Sequence, residues 1–314
     1  MSFVASGRGF APWLVSAGCV LLAGCGPRPA APAGPVFGAS FQSLSNPVFV
    51  EINSGLAATI KARGARLITR DARFNHQQQM EDVADLLQQQ PAAIFINPVN
   101  WEGIKDSLTA AKRKQVPVII VDAPVSDPDL VLCQVASDNF EAGRLACAAL
   151  AQAKPSARIV VLHLSVNRAC IDRVAGFKAE MAGHPGMKLL DIQEGKGSAE
   201  GARPVMVDAL KRFPELDAVF ALNDPSALGA LGAIEAADRN GQVTVVTVDG
   251  SREGLAAVQA GRLYATVAQF PRDIGRLAAE KALAHLDGKP VEKDIKVPVK
   301  LITRANAAGF RAEP

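Results

Sequence analysis

Four short apolar runs in this 314-residue chain each end on an amide or a carboxylate. Ile94-Phe95-Ile96 leads into Asn97-Pro98, and Val118 to Val121 into Asp122. Val219-Phe220-Ala221-Leu222 leads into Asn223-Asp224-Pro225, and Thr244 to Val248 into Asp249-Gly250. Any single Asn or Asp there could be a helix N-cap. Caps alone would use serine and threonine as freely, so four in series point to a site that grips a small polar molecule. The residue types suit hydroxyl groups: a carboxylate accepts hydrogen bonds, an amide donates and accepts, and an arginine donates in a fixed fork. A buried sugar or polyol needs that density of partners, because each unmatched hydroxyl costs about 1–3 kcal/mol. Asp122 and Asp249 could also serve as the paired carboxylates of glycoside hydrolysis. No nucleophile motif, phosphate loop or metal cluster accompanies them, and His76, His163, His184 and His285 are scattered. Recognition without a cofactor or metal is therefore expected, and not an enzyme.

The elements that must position these groups follow from periodicity. Strands are expected at 36–41, 66–69, 93–96, 118–121, 131–135, 158–162, 188–192, 218–221, 243–248 and 265–268, with helical stretches between most of them. In the first helical stretch Val48, Phe49, Ile52, Leu56 and Ile60 recur at helical spacing, behind Asn46 as N-cap and Pro47 at the first position. A second helix is expected over 77–90, with Met80, Val83, Ala84 and Leu87 on its apolar face and Pro91 as its stop. Strand and helix alternating this regularly imply doubly wound parallel sheets, whose ligands bind beyond the carboxyl ends of the strands.

Composition narrows the function. Acids and bases nearly balance, with a net charge of +3, and no basic stripe or arginine-rich tract is present. Nucleic acid is not an expected partner. Beyond residue 25 the cysteines are Cys133, Cys147 and Cys170; three is an odd number, so at least one thiol stays free. Cys147 falls on the apolar side of an expected helix.

The N-terminus resembles that of a bacterial lipoprotein precursor. Leu22-Ala23-Gly24-Cys25 is similar to a lipobox, at the end of an apolar run of signal-peptide length that is too short to span a bilayer. That implies a signal peptide over 1–24, lipidation of Cys25 and attachment to a membrane surface on the periplasmic or cell-surface side. Residues 25–35, rich in proline, read as a tether that would reach about 30 Å when extended.

The body, from Val36 to about Ile302, resembles the type I periplasmic sugar-binding proteins, and their ribose-binding branch in particular. The resemblance rests on Ser45-Asn46-Pro47-Val48-Phe49, Ile96-Asn97-Pro98, Val135-Ala136-Ser137-Asp138-Asn139, Asp172-Arg173-Val174-Ala175-Gly176-Phe177, Ala218 to Asp224, Val248-Asp249-Gly250 and Ala265-Thr266-Val267-Ala268-Gln269, in order and at the family's spacing. It implies an α/β fold of two doubly wound parallel-sheet lobes joined by a three-stranded hinge. One lobe would comprise 36–136 plus 270–297, the other 137–269 plus 298–314.

The resemblance also implies ligand contacts at Asn46, Phe49, Asn97, Asp122, Arg173, Asn223, Asp249 and Gln269. Phe49 could equally pack in the core, and Arg173 could pair with Asp172 or Glu180 at the surface. The departures bear on the ligand. Ala123 stands where ribose binders carry an arginine, Val48 and Gly197 stand where they carry aromatics, and Gln42 replaces a small hydroxyl residue. Gln42 is a further possible contact, and Trp101 could replace a lost stacking face or simply start a helix. The expected ligand is not ribose itself but a larger sugar, a cyclitol or a related polar metabolite. The expected role is delivery of that ligand to an ABC transporter permease. A sensory receptor signalling to a histidine kinase or chemoreceptor is the alternative. A repressor sharing this body would need a helix-turn-helix segment before Val36.

Overall fold

A sheet buried on both faces needs helices on both sides. The computed structural model, which describes residues 2–4 and 34–310, provides them in two successive blocks. Cys25, nearly all of the segment preceding it and most of the tether lie outside the described residues. Among the described residues no helix is long and apolar enough to cross a membrane.

The first block runs β1 (Val36–Phe41), α1 (Pro47–Ala62), β2 (Arg66–Asp71), α2 (His76–Gln88), β3 (Ala93–Ile96), α3 (Lys105–Arg113), β4 (Val118–Val121) and β5 (Cys133–Ser137). The second runs α4 (Asn139–Ala153), β6 (Arg158–His163), α5 (Arg168–Met181), β7 (Lys188–Glu194), α6 (Ala199–Arg212), β8 (Ala218–Ala221), α7 (Asp224–Ala236), β9 (Thr244–Asp249), α8 (Arg252–Gln259) and β10 (Ala265–Ala268). The chain then returns to the first lobe as α9 (Pro271–Leu286) and β11 (Asp294–Val297), and ends in the second as β12 (Lys300–Thr303) and α10 (Arg304–Ala307).

Each lobe holds a six-stranded sheet, ordered β11-β5-β4-β3-β1-β2 in one and β12-β10-β9-β8-β6-β7 in the other. The chain passes between them three times: after β5, after β10 and after β11. Apolar clusters fill both faces of each sheet, around Phe37 and Ile52 and around Ile94 and Leu108 in the first lobe. In the second they lie around Met206 and Leu231 and around Phe177 and Phe220.

The structure differs from the sequence expectation at a few elements, each for a physical reason. β5 lies two residues later than the apolar run 131–135, because a 3-10 turn at Pro128–Leu130 holds Val131 back and pairing starts at Cys133 against Ile119. β11 alternates charged and apolar residues and β12 holds only Leu301 and Ile302 as an apolar pair, so both are too short to show as apolar runs. β12 is antiparallel to β10. It has to be: every other strand ends at the gap between the lobes, and β12 enters its sheet from that gap. In α2 the buried face is Gln79, Asp82, Val83, Leu86 and Leu87, while Ala84 is exposed. A polar residue, Gln79, takes the inward position because its amide is fully used. Its Nε2 donates to Asn97 O (2.8 Å), and its Oε1 accepts from Val99 N–H (2.7 Å).

Candidate functional site

The carboxyl ends of both sheets face one cleft. From the first lobe Gln42, Asn46, Val48, Phe49, Phe74 and Asp122 line it. From the second come Leu164, Asn167, Cys170, Arg173, Gly197, Leu222, Asn223, Asp249 and Gln269. Most are strand-exit residues, so chain topology alone delivers them to one place.

The helix termini add to this. Asn46 caps α1, its Oδ1 accepting from Val48 N–H at 3.0 Å, and it lines the cleft as well. Asn223 caps α7 through Ser226 N–H (3.0 Å), while its Nδ2 donates to Gly197 O (3.0 Å). Capping and lining are therefore not alternatives at these two positions. Phe49 likewise belongs both to the α1 core and to the cleft wall.

Arg173 is only 4 % exposed. Its surface alternatives are already engaged, Asp172 with Arg168 and Glu180 with Arg144, each at 2.8 Å. Its Nε donates to Asn139 Oδ1 (2.8 Å), one Nη donates to Leu222 O (2.8 Å), and Asp249 Oδ1 lies 3.8 Å from that Nη. Asn139 is held in turn by donating to Ser137 O at 3.1 Å. α4 and α5 approach closely enough for this because they cross at glycines. A Cβ on Gly143 would sit 1.8 Å from Arg173 O, and one on Gly176 would sit 1.9 Å from Phe140 O.

Two carboxyl groups, Asp122 and Asp249, share this one guanidinium, and a third, Asp224, lies behind Asp249. Burial pushes Asp122 up to about 6, opposed by Arg173 and by the Asn97 amide that donates to it. Burial also raises Asp249, and the neighbouring Asp224 raises it further against the pull of Arg173. Asp224 lies behind the wall and accepts from Ser251 N–H and Oγ (2.8 Å each) and from Thr266 Oγ1 (2.9 Å). Gln269 ties the second lobe to the hinge. Its Nε2 donates to Asp249 Oδ1, and its Oε1 accepts from Ser137 Oγ, both at 2.8 Å.

One expected contact, Asn97, and one possible contact, Trp101, are not among the residues that line the cleft. Asn97 is fully buried behind the wall, where its Oδ1 accepts from Gln42 N–H (3.2 Å) and its Nδ2 donates to Asp122 Oδ2 (3.0 Å). Its amide is spent on positioning its neighbours. Trp101 is at the mouth of the cleft, not in it. Its N–H donates across the lobes to Val166 O (3.2 Å), and the Arg168 guanidinium lies 5.2 Å from its ring centre. The aromatic face that the sequence does not announce is Phe74, in the turn after β2, with a backbone φ of 58°. It follows a strand exit as the other lining residues do, which is the signal that could have found it. Cys133, Cys147 and Cys170 are all free and buried, and burial pushes each thiol up to about 12.

Comparison with known proteins agrees with this geometry. A family model described as a periplasmic binding protein domain matches residues 37–290. The ribose import binding protein RbsB of Bacillus subtilis (strain 168) is 34 % identical over 267 residues, covering 85 % of this chain and 87 % of its own. Its Escherichia coli (strain K12) counterpart is 31 % identical, covering 84 % and 88 %. Among solved structures, the periplasmic component of the arabinose ABC transporter from Shewanella sp. ANA-3, bound to L-arabinofuranose, superimposes with a TM-score of 0.82 at 31 % identity, covering 87 % and 93 %. An ABC transporter solute-binding protein from Bacillus halodurans C-125 with bound myo-inositol superimposes with a TM-score of 0.84 at 25 % identity, covering 91 % and 100 %. With two six-stranded α/β lobes and a polar cleft between them, this chain belongs to the periplasmic binding protein family, among the sugar-binding solute-binding proteins of ABC transporters.

Proposed function

We propose that the protein is a lipid-anchored extracytoplasmic receptor that captures an uncharged sugar or polyol by closing its two lobes, and delivers it to an ABC transporter permease. One observation carries the reading: Asn46, Phe49 and Asp122 from one lobe, and Arg173, Asn223, Asp249 and Gln269 from the other, line a single cleft. A ligand held by both walls is bound fully only when the lobes are shut, so it shifts the population toward closure by its differential affinity. The units that move are 36–136 with 270–297, and 137–269 with 298–314, pivoting on the three crossings. Asp122 and Asp249 accept from ligand hydroxyls, Arg173 donates to a ligand oxygen, and Phe49 and Phe74 cover C–H faces. Ala123 offers no side-chain donor, which favours a ligand other than ribose.

Attachment through Cys25, after removal of 1–24, would keep the closed receptor within reach of a membrane permease. Sugars and polyols that similar proteins are named for or hold bound set the panel: D-ribose, L-arabinose, xylitol, D-allose, D-tagatose and myo-inositol. In differential scanning fluorimetry followed by calorimetry, at least one member is expected to raise Tm and bind one-to-one. Silence across the panel would sink the reading. For the anchor, Cys25→Ser is expected to move the protein from the membrane fraction to the soluble one; unchanged fractionation would remove the lipid.

A further inference from the structure

Gln42 is the first residue after β1, and it differs from its neighbours in the cleft wall. It is 2 % exposed, and its Nε2 is buried with no hydrogen-bond partner. Its backbone is held on both sides: the N–H donates to Asn97 Oδ1 (3.2 Å), and the C=O accepts from Phe74 N–H (2.6 Å). The side chain is therefore delivered to the cleft wall by a fixed main chain, and its Nε2 finds no hydrogen-bond partner there. Native structures leave few buried donors unpaired, and one that lines a ligand cleft asks for a ligand acceptor.

The charges around it narrow what that ligand can be. Ala123, fully buried, adds no donor beside Asp122. The lining side chains then hold two carboxylates, Asp122 and Asp249, against one guanidinium, Arg173, with Asp224 behind them. A sugar acid or sugar phosphate would bring a further acidic group to a site whose one guanidinium is already shared by two carboxyl groups.

We infer that Gln42 is a specificity-determining donor of the first lobe, which selects an uncharged polyhydroxylated ligand carrying an acceptor oxygen opposite its amide. The inference rests on the sugar-receptor reading above and deepens it. A site built to hydrogen-bond one oxygen rejects the analogue that lacks it far more strongly than it rejects a change of apolar shape, because the site's own polar group is then left unpaired.

The experiment uses the tightest-binding member of the panel, its set of monodeoxy analogues, and the variants Gln42→Leu and Gln42→Glu, all by calorimetry. Q42L is expected to weaken binding of the parent sugar at least tenfold. One deoxy analogue is expected to bind the wild type at least tenfold more weakly than the parent, yet to bind Q42L as well as the parent does, so the two losses do not add. Q42E, which turns a donor into a further carboxylate, is expected to lose at least as much as Q42L. The ligand-free Tm of Q42L is expected to be no lower than that of wild type. Parent binding by Q42L within twofold of wild type would overturn the inference. So would losses that add for every deoxy analogue, or a lowered Tm, which would make the amide structural. If Q42L does not fold, Q42E decides on the same terms. A wild type that binds no panel member overturns both readings; a wild type that binds, with Q42L unaffected, overturns this one alone.

Discussion

Asp122 and Asp249 both hold positive backbone φ, 68° and 134°, where glycine would be easier. Such conformations cost about 1–3 kcal/mol each and persist where the surroundings impose them, often at functional sites. Both carboxyls are also raised by burial. Strain and buried charge in the same two residues are accounted for if each accepts hydrogen bonds from a bound hydroxyl. Replacing Asp249 by Asn should therefore weaken sugar binding by about 10- to 100-fold, since hydrogen bonds to charged groups contribute about 1.5–3 kcal/mol. The same change should leave the ligand-free Tm no lower than wild type, because a buried carboxylate is removed. Thermal melts with and without sugar measure both, and an undiminished ligand shift would take Asp249 out of the site. At this scale the sequence was informative in one direction only. The residue types at the strand exits announced hydroxyl recognition. They did not separate Asn97 from Asp122, because which amide faces the cleft and which braces its neighbour depends on reach in three dimensions. The sequence left Trp101 open between a stacking face and a helix start, and did not mark Phe74, for the same reason: both follow strand exits, and only the loop path sends one to the rim and the other to the wall.

The elements explain why so many dispersed residues meet. Strand boundaries that rest on fully apolar runs, at Ala93–Ile96, Val118–Val121 and Ala218–Ala221, are fixed by burial on both faces and were readable from the sequence. β11 and β12 were not, since four residues each are too few to show a period and their pairing depends on the crossing between lobes. The α4–α5 contact depends on two glycines whose purpose is invisible in one dimension. Gly143→Ala should clash with Arg173 O, destabilise the protein by about 1–3 kcal/mol as overpacking does, and weaken sugar binding by shifting Arg173. Gly232→Ala, in α7 with only a side-chain nitrogen of Arg203 near (3.9 Å), should instead stabilise, by up to about 1 kcal/mol of helix propensity. Urea denaturation of the two variants distinguishes them. Equal effects would mean that the helix crossing does not set the site.

At the scale of the whole molecule, the lobes meet at the cleft mouth through Trp101, Val166 and Arg168 as well as at the hinge. Trp101→Ala or Arg168→Ala should loosen this closed form by about 0.5–1 kcal/mol. Affinity would then fall about two- to fivefold for every sugar alike; a loss confined to one sugar would return Trp101 to the ligand. On the proposed closing of the lobes, closure is also what buries Asp122. Asp122 titrates near 6 when buried, against an ordinary 3.8, with Arg173 and Asn97 opposing the rise. Closing therefore takes up a proton. Without ligand, the closed form should be disfavoured above about pH 6, should gain as the pH falls, and should have its full advantage only below the ordinary carboxylate value. Trp101 emission followed from pH 7.5 to 5 reads this out, and a flat profile would deny that the carboxylates oppose closure. The most direct measurement is small-angle X-ray scattering of the receptor during titration with its tightest sugar. A fall in radius of gyration that saturates at one sugar per chain is the expected result; saturable binding with unchanged scattering would contradict capture by closing lobes.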